Sequence, residues 1–161
     1  MTDSLAREVG RRLLETRTLL VTAESCTGGW VAQAVTSVSG SSAWFERGFV
    51  TYSNASKEEM LGVSGATLER HGAVSEETAR EMALGAIARS RGTLAVAVTG
   101  VAGPTGGTAA KPVGTVCFAW TGAGLTRCET RFYAGDRSSI RRQSVERALQ
   151  GVIELLQTRS K

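Results

Sequence analysis

Apolar residues recur every three to four positions at the start of the chain. Leu5, Val9, Leu13 and Leu14 fall on one side of a helix over residues 5–16. Residues 18–22 (Thr-Leu-Leu-Val-Thr) form a short apolar run suited to a buried strand. A turn of small and polar residues follows over 23–29, and helical spacing resumes over 30–38. After a loop at 39–42, residues 43–52 are rich in aromatic and β-branched side chains and predict a strand bent at Gly48. Residues 56–61 predict a short helix capped by Ser56 or Asn54, and 66–71 a helical turn ended by Gly72. The clearest helix is 75–91. It has a serine cap, two glutamates in its first turn, and Ala79, Met82, Ala83, Ala86 and Ile87 on one face. Residues 94–99 form a second buried run, ending in a glycine-rich loop over 100–112. Residues 113–120 and 125–133 predict a hairpin across 121–124, and Asp136 caps a last helix to about residue 157. Helices and strands alternate early and a hairpin comes late. That order predicts an α/β protein, a three-layer α/β/α sandwich with a mixed, mostly parallel sheet. No repeat or linker divides the chain, so residues 1–161 are expected to form one domain.

Composition narrows the function classes. The apolar fraction of 42% is ordinary for a globular protein, and only two prolines occur. No stretch approaches the roughly 20 apolar residues of a membrane helix. Residues 1–11 carry acids and no apolar core, which excludes a secretory leader and makes the cytoplasm the expected location. Three cysteines, Cys26, Cys117 and Cys128, are an odd number without paired spacing, so neither a disulfide framework nor a zinc knuckle is expected. The formal charge is +4, which suits a small anionic substrate. Aromatics are 6% and are not interleaved with arginine runs, so a nucleic-acid surface is not expected. Of 19 basic residues, only Lys57, Lys111 and Lys161 are lysines, which makes each of them informative.

Three segments carry candidate chemistry. The first is strand, then Ser25-Cys26-Thr27-Gly28-Gly29, then helix. Its glycines let backbone amides approach an anion or an oxyanion, although such glycines also serve a plain strand-to-helix turn. The second is the strand end Tyr52-Ser53-Asn54-Ala55-Ser56-Lys57. A lysine acting as base must be neutral, which requires burial or cationic neighbours; the alternative is a solvated lysine and a core tyrosine. The third runs from Thr99 and Gly100 through Gly103 and Gly106 to Thr108. It leaves many amides accessible to a phosphate or ribose, or it is simply a flexible crossover. The one histidine, His71, precedes Gly72 at a helix end and gives no support to a serine–histidine–acid triad. There is no G-x-S-x-G and no H-E-x-x-H, so no metal site is expected. If Ser25 is activated, lysine with tyrosine is the remaining chemistry. Cys26 is the neighbouring alternative nucleophile.

The segments Thr22-Ala-Glu-Ser-Cys-Thr-Gly-Gly29, Gly48-Phe-Val-Thr-Tyr-Ser-Asn54 with Lys57 and Leu61-Gly-Val63, and Val98-Thr-Gly-Val-Ala-Gly-Pro-Thr-Gly-Gly-Thr108 with Lys111-Pro-Val-Gly-Thr115 resemble the CinA C-terminal domain family. They run in the family's order over most of the chain. The resemblance implies the same three-layer fold and a nicotinamide-nucleotide amidase without metal or other cofactor. Such an enzyme converts nicotinamide mononucleotide and water to nicotinate mononucleotide and ammonia. It implies Ser25 as nucleophile, with Tyr52 and Lys57 activating it and relaying its proton. Cys26, Thr27, Gly28, Asn54, Thr99 and the loop with Gly100, Gly103 and Gly106 would shape the substrate site. Arg137 or Arg141 would meet the phosphate. Asn54 is followed here by Ala55-Ser56 where the family usually has glutamate-alanine, with the spacing to Lys57 unchanged. The substrate nucleotide is the expected small-molecule partner. A homo-oligomer is expected, and neither nucleic acid nor membrane. The competing reading is a catalytically silent nucleotide-binding or regulatory module. A DNA-associated competence role is not carried by a charge of +4.

Overall fold

The computed structural model describes residues 1–159; Lys161, one of the three lysines, lies outside them. The strands are β1 (Leu20–Glu24), β2 (Phe45–Val50), β3 (Leu94–Gly100), β4 (Thr115–Gly122) and β5 (Leu125–Phe132). The helices are α1 (Thr2–Thr16), α2 (Trp30–Thr36), α3 (Asn54–Leu61), α4 (Gly65–His71), α5 (Glu76–Ala88) and α6 (Arg137–Arg159), with one 3₁₀ turn at Ser41–Ala43. The strands form one sheet in the order β2-β1-β3-β4-β5. β1 pairs in parallel with both β2 and β3, whereas β3–β4 and β4–β5 are antiparallel. Four of the five strands therefore run the same way, giving the mixed, mostly parallel sheet expected.

Each sheet face is covered by helices because the inner strands are apolar on both faces. On one side Leu13 of α1, Val31 of α2 and Leu149 of α6 pack on Leu20, Val96 and Phe118. On the other, Ala79, Met82 and Ala83 of α5 and Leu61 of α3 pack on Val21, Ala95 and Ala97. Every residue of β1 and β4 is buried, while the edge strands β2 and β5 are only partly covered. Two glycines permit close contacts, one between neighbouring helices of one layer and one between helix and sheet. A Cβ on Gly85 of α5 would lie 1.8 Å from the Leu61 carbonyl oxygen, and one on Gly151 of α6 would lie 2.0 Å from the Trp120 ring. No helix among the described residues is long and apolar enough to cross a membrane.

Caps move several boundaries from the positions the periodicity predicts. β1 begins at Leu20 rather than residue 18, because Arg17 turns into the left-handed region (φ 53°) and Thr18 N–H closes back on the Leu13 carbonyl. The irregularity in β2 is not at Gly48. The register slips between Leu20 and Val21, where Phe45 and then Arg47 are the partners and Glu46 is left over. Glu46 instead accepts from Arg91 N–H (3.0 Å). The cap of α3 is neither Ser56 nor Asn54 but Ser53. Its hydroxyl accepts from Ser56 N–H at 3.0 Å and Ser56 Oγ accepts from Ser53 N–H at 3.1 Å, a reciprocal box. α5 stops at Ala88, three residues short of the predicted end. Asp136 caps α6 as expected, its Oδ1 accepting from Ser139 N–H at 2.9 Å.

Candidate active site

Parallel pairing brings the carboxyl ends of β1, β2 and β3 to one edge, which is where open α/β sheets bind ligands. The last rungs of the ladder fix both halves of the site. Ser25 N–H donates to the Val98 carbonyl (2.9 Å) and Thr51 N–H to the Glu24 carbonyl (2.8 Å). The chain then reverses into α2. Gly28 N–H closes on the Ser25 carbonyl at 3.0 Å, and Gly28 (φ 58°) and Gly29 (φ 102°) occupy the left-handed region that side chains resist.

The turn is held by a carboxylate that sequence reasoning passed over. Glu24 ends β1 fully buried and accepts from Thr27 Oγ1 (2.6 Å), Val31 N–H (2.8 Å) and Ala32 N–H (3.0 Å). It supplies the negative charge that free amides at a helix start attract. The available signal was a lone acid between an apolar strand and a glycine turn.

Lys57 reaches the same point from α3. It is 1% exposed, and its Nζ lies 3.0 Å from Ser25 Oγ, 2.9 Å from the Thr51 carbonyl and 3.3 Å from the Tyr52 carbonyl. Burial pushes its ammonium below the ordinary lysine value, and only the Cys26 sulfur acts in the other direction. As an ammonium it has three N–H donors for three acceptors. As a neutral amine it can give two N–H to the carbonyls and turn its lone pair to Ser25. Cys26 offers no comparable nucleophile. Burial, with the nearby Glu24 carboxylate, pushes its thiol up to about 12.

Tyr52 meets Lys57 through its main chain only. Its side chain is 63% exposed, and its hydroxyl accepts from Arg137 Nη2 at 3.2 Å. The hydroxyl relay expected from residue type is therefore not assembled here. Arg137 also donates through Nη1 to the Gly103 carbonyl (2.7 Å), so it links Tyr52 to the glycine loop at the rim. Arg141 instead turns inward. Its Nε donates to the Cys26 carbonyl and its Nη2 to the Thr27 carbonyl, both at 3.1 Å, and its guanidinium lies 5.4 Å over the Trp30 ring.

Thr99 is buried and donates to the Ala73 carbonyl (2.8 Å), tying the end of β3 to the segment before α5. Gly100 passes so close to β4 that a Cβ would lie 2.9 Å from the Thr115 carbonyl oxygen. Gly106 lies in the same loop, and Asn54 is exposed in the first turn of α3. Of the turn amides, those of Cys26, Thr27 and Gly29 donate to no protein oxygen, whereas Gly28 N–H is consumed in closing the turn. The Gly28 amide therefore serves the turn. His71 Nδ1 lies 3.8 Å from the Glu77 carboxylate and its carbonyl accepts Lys111 Nζ, so it takes no part at Ser25. Two surface hollows of about 630 and 580 Å³ lie around α4 and between α4, α5 and the β4–β5 edge; neither is lined by Ser25, which keeps 7% of its surface exposed.

Comparison with known proteins matches this chain over nearly its whole length. The CinA C-terminal domain profile covers residues 2–156. A nicotinamide-nucleotide amidohydrolase PncC of Escherichia coli K12 is 53% identical over 157 residues, covering 93% of this chain and 94% of the relative. The protein of the same name from Pseudomonas putida is 51% identical over 152 residues, covering 94% and 95%. The crystal structure of the competence/damage inducible protein CihA from Agrobacterium tumefaciens superposes with a TM-score of 0.93 at 47% identity, covering 96% of this chain and 94% of the other.

Proposed function

The chain belongs to the CinA C-terminal domain family, and on that premise we propose that it is a nicotinamide-nucleotide amidase. In this reading it hydrolyses the carboxamide of nicotinamide mononucleotide with Ser25 as nucleophile and Lys57 as base. The names of its relatives support the substrate. The chemistry is carried by one observation: a buried lysine whose Nζ lies 3.0 Å from the hydroxyl of the serine at the strand end.

Neutral Lys57 donates two N–H groups to the Thr51 and Tyr52 carbonyls, which directs its lone pair at Ser25. It takes the hydroxyl proton as Ser25 Oγ bonds to the carboxamide carbon. The carbonyl oxygen becomes an oxyanion facing the amides of Cys26 and Thr27. Lys57 returns the proton to the amide nitrogen, the C–N bond breaks, and ammonia leaves. A water then gives a proton to Lys57 and attacks the nicotinoyl ester. Collapse of that intermediate returns the proton to Ser25 Oγ and releases nicotinate mononucleotide. The cationic pyridinium ring withdraws electrons from the carboxamide and favours attack. Arg137, exposed at the rim and bonded to an exposed hydroxyl, is the arginine suited to turn outward to the phosphate. Binding at that remote group orients the amide over Ser25.

The test is ammonia release from nicotinamide mononucleotide with chelator present. Turnover is expected in the native protein and is expected to vanish in Ser25→Ala while nucleotide binding persists. Saturable nucleotide binding by the native protein without any turnover would replace this reading with that of a silent nucleotide-binding module.

A further inference from the structure

We infer that Arg141 is a positioning residue that aims the oxyanion-binding amides, and that it does not hold the substrate phosphate. The inference rests on the serine-amidase reading above and assigns the device that shapes its oxyanion site. In a trans peptide the C=O and the following N–H point in opposite directions, and the peptides of this turn are trans. Anchoring a carbonyl therefore aims the amide at the other end of the same peptide.

The two amides next to the nucleophile that donate to no protein oxygen, those of Cys26 and Thr27, have their carbonyl partners anchored. The Ser25 carbonyl, which belongs to the peptide of Cys26 N–H, is fixed by Gly28 N–H at 3.0 Å. The Cys26 carbonyl, which belongs to the peptide of Thr27 N–H, is fixed by Arg141 Nε at 3.1 Å. The second arm of the guanidinium takes the Thr27 carbonyl at 3.1 Å. That carbonyl shares its peptide with Gly28 N–H, the group that closes the turn. One planar fork thus bears on both peptides: it alone fixes the one of Thr27 N–H, and with Trp30 N–H, which also donates to the Thr27 carbonyl (3.0 Å), it steadies the turn that fixes the one of Cys26 N–H. Its charge also polarises the Cys26–Thr27 peptide and strengthens Thr27 N–H as a donor. Trp30 stacks against the guanidinium, and Glu24 holds the Thr27 hydroxyl at 2.6 Å, so the turn is gripped by side chains of opposite charge. To meet a phosphate through these donors, Arg141 would have to release both carbonyls.

The experiment compares native protein, Arg141→Met and Arg141→Lys on nicotinamide mononucleotide and on nicotinamide riboside, which lacks the phosphate. Loss of an oxyanion donor lowers kcat by about 10²-fold or more. The expected result for Arg141→Met is a kcat loss of that order, equal on both substrates, with KM little changed. Arg141→Lys, a point cation reaching one carbonyl, is expected between the two. Amide hydrogen exchange is expected to quicken over residues 25–29 in Arg141→Met while β3 stays protected, which separates a loosened turn from a misfolded chain. A rise in KM confined to the phosphorylated substrate, an unchanged kcat, or a lysine variant at native kcat would overturn the inference. Native protein that released no ammonia would instead count against the amidase reading, and the exchange experiment would still decide whether Arg141 holds the turn.

Discussion

Lys57 sits with a serine hydroxyl and two carbonyl oxygens about its amine and no carboxylate paired with it among the described residues. Its proton is held less tightly in the folded chain than in the unfolded one, where the ordinary value of 10.5 applies. Two consequences follow with fixed sign. The base form gains population as pH rises, so kcat/KM is expected to climb by about tenfold per unit and to level off below 10.5, where a solvated lysine would still be mostly charged. Folding also expels this proton between the lowered native pKa and 10.5, so stability rises with pH across that window. Below the native pKa both states are protonated and the burial cost stands in full. Urea unfolding as a function of pH is expected to show this slope in the native chain and not in Lys57→Met. The scarcity of lysine pointed to Lys57 in the sequence. That Tyr52 would contribute a carbonyl rather than its hydroxyl was not legible there, because residue identity says nothing about which atoms of a residue face the site. Glu24 was missed for a related reason. Two of its three partners are the amides of Val31 and Ala32, and backbone groups carry no sequence signature.

At the scale of elements, the catalytic lysine is only as well placed as α3, and α3 is placed by its contact with α5. Gly85 allows that contact, since any Cβ there meets the Leu61 carbonyl. Gly85→Ala is expected to push α3 outward and cut kcat by tenfold or more, with a stability loss of about 1–3 kcal/mol from overpacking. Gly151→Ala, which overpacks α6 on Trp120 instead, is expected to lose comparable stability with kcat retained. Denaturant unfolding beside steady-state kinetics on the two variants checks the contrast. The helices and buried strands were legible because their apolar spacing is strong. Their ends were less so. The Ser53–Ser56 box and the left-handed Arg17 are local hydrogen-bond choices that compete with periodicity and here win by one to two residues.

Across the whole molecule, layer order followed from the sequence of elements, but strand order did not. Nothing in the periodicity places β1 between β2 and β3, and that placement is what brings Ser25, Thr51 and Thr99 to one edge. The antiparallel half of the sheet is fastened separately. Arg147, 9% exposed, binds Glu129 of β5 at 2.6 and 2.9 Å and Glu154 of α6 at 2.9 and 3.0 Å, with its guanidinium 5.2 Å over Trp120. Glu129 keeps Arg131 (2.9 Å) and Glu154 keeps Arg127 (3.5 Å) when Arg147 is removed, so Arg147→Met loses its charged hydrogen bonds without orphaning either acid and is expected to cost about 1–3 kcal/mol in thermal or denaturant unfolding. Its kcat is expected to stay near native, since none of these partners lies at Ser25. The burial of Lys57 has a use beyond catalysis. With three lysines in the chain, amine acylation read by peptide mass spectrometry resolves each one separately. A side chain 1% exposed is shielded from such a reagent while the sandwich is closed. Lys57 will therefore acquire label at the rate at which α3 lifts from the sheet edge, and the molecule carries its own clock for the opening of its active site.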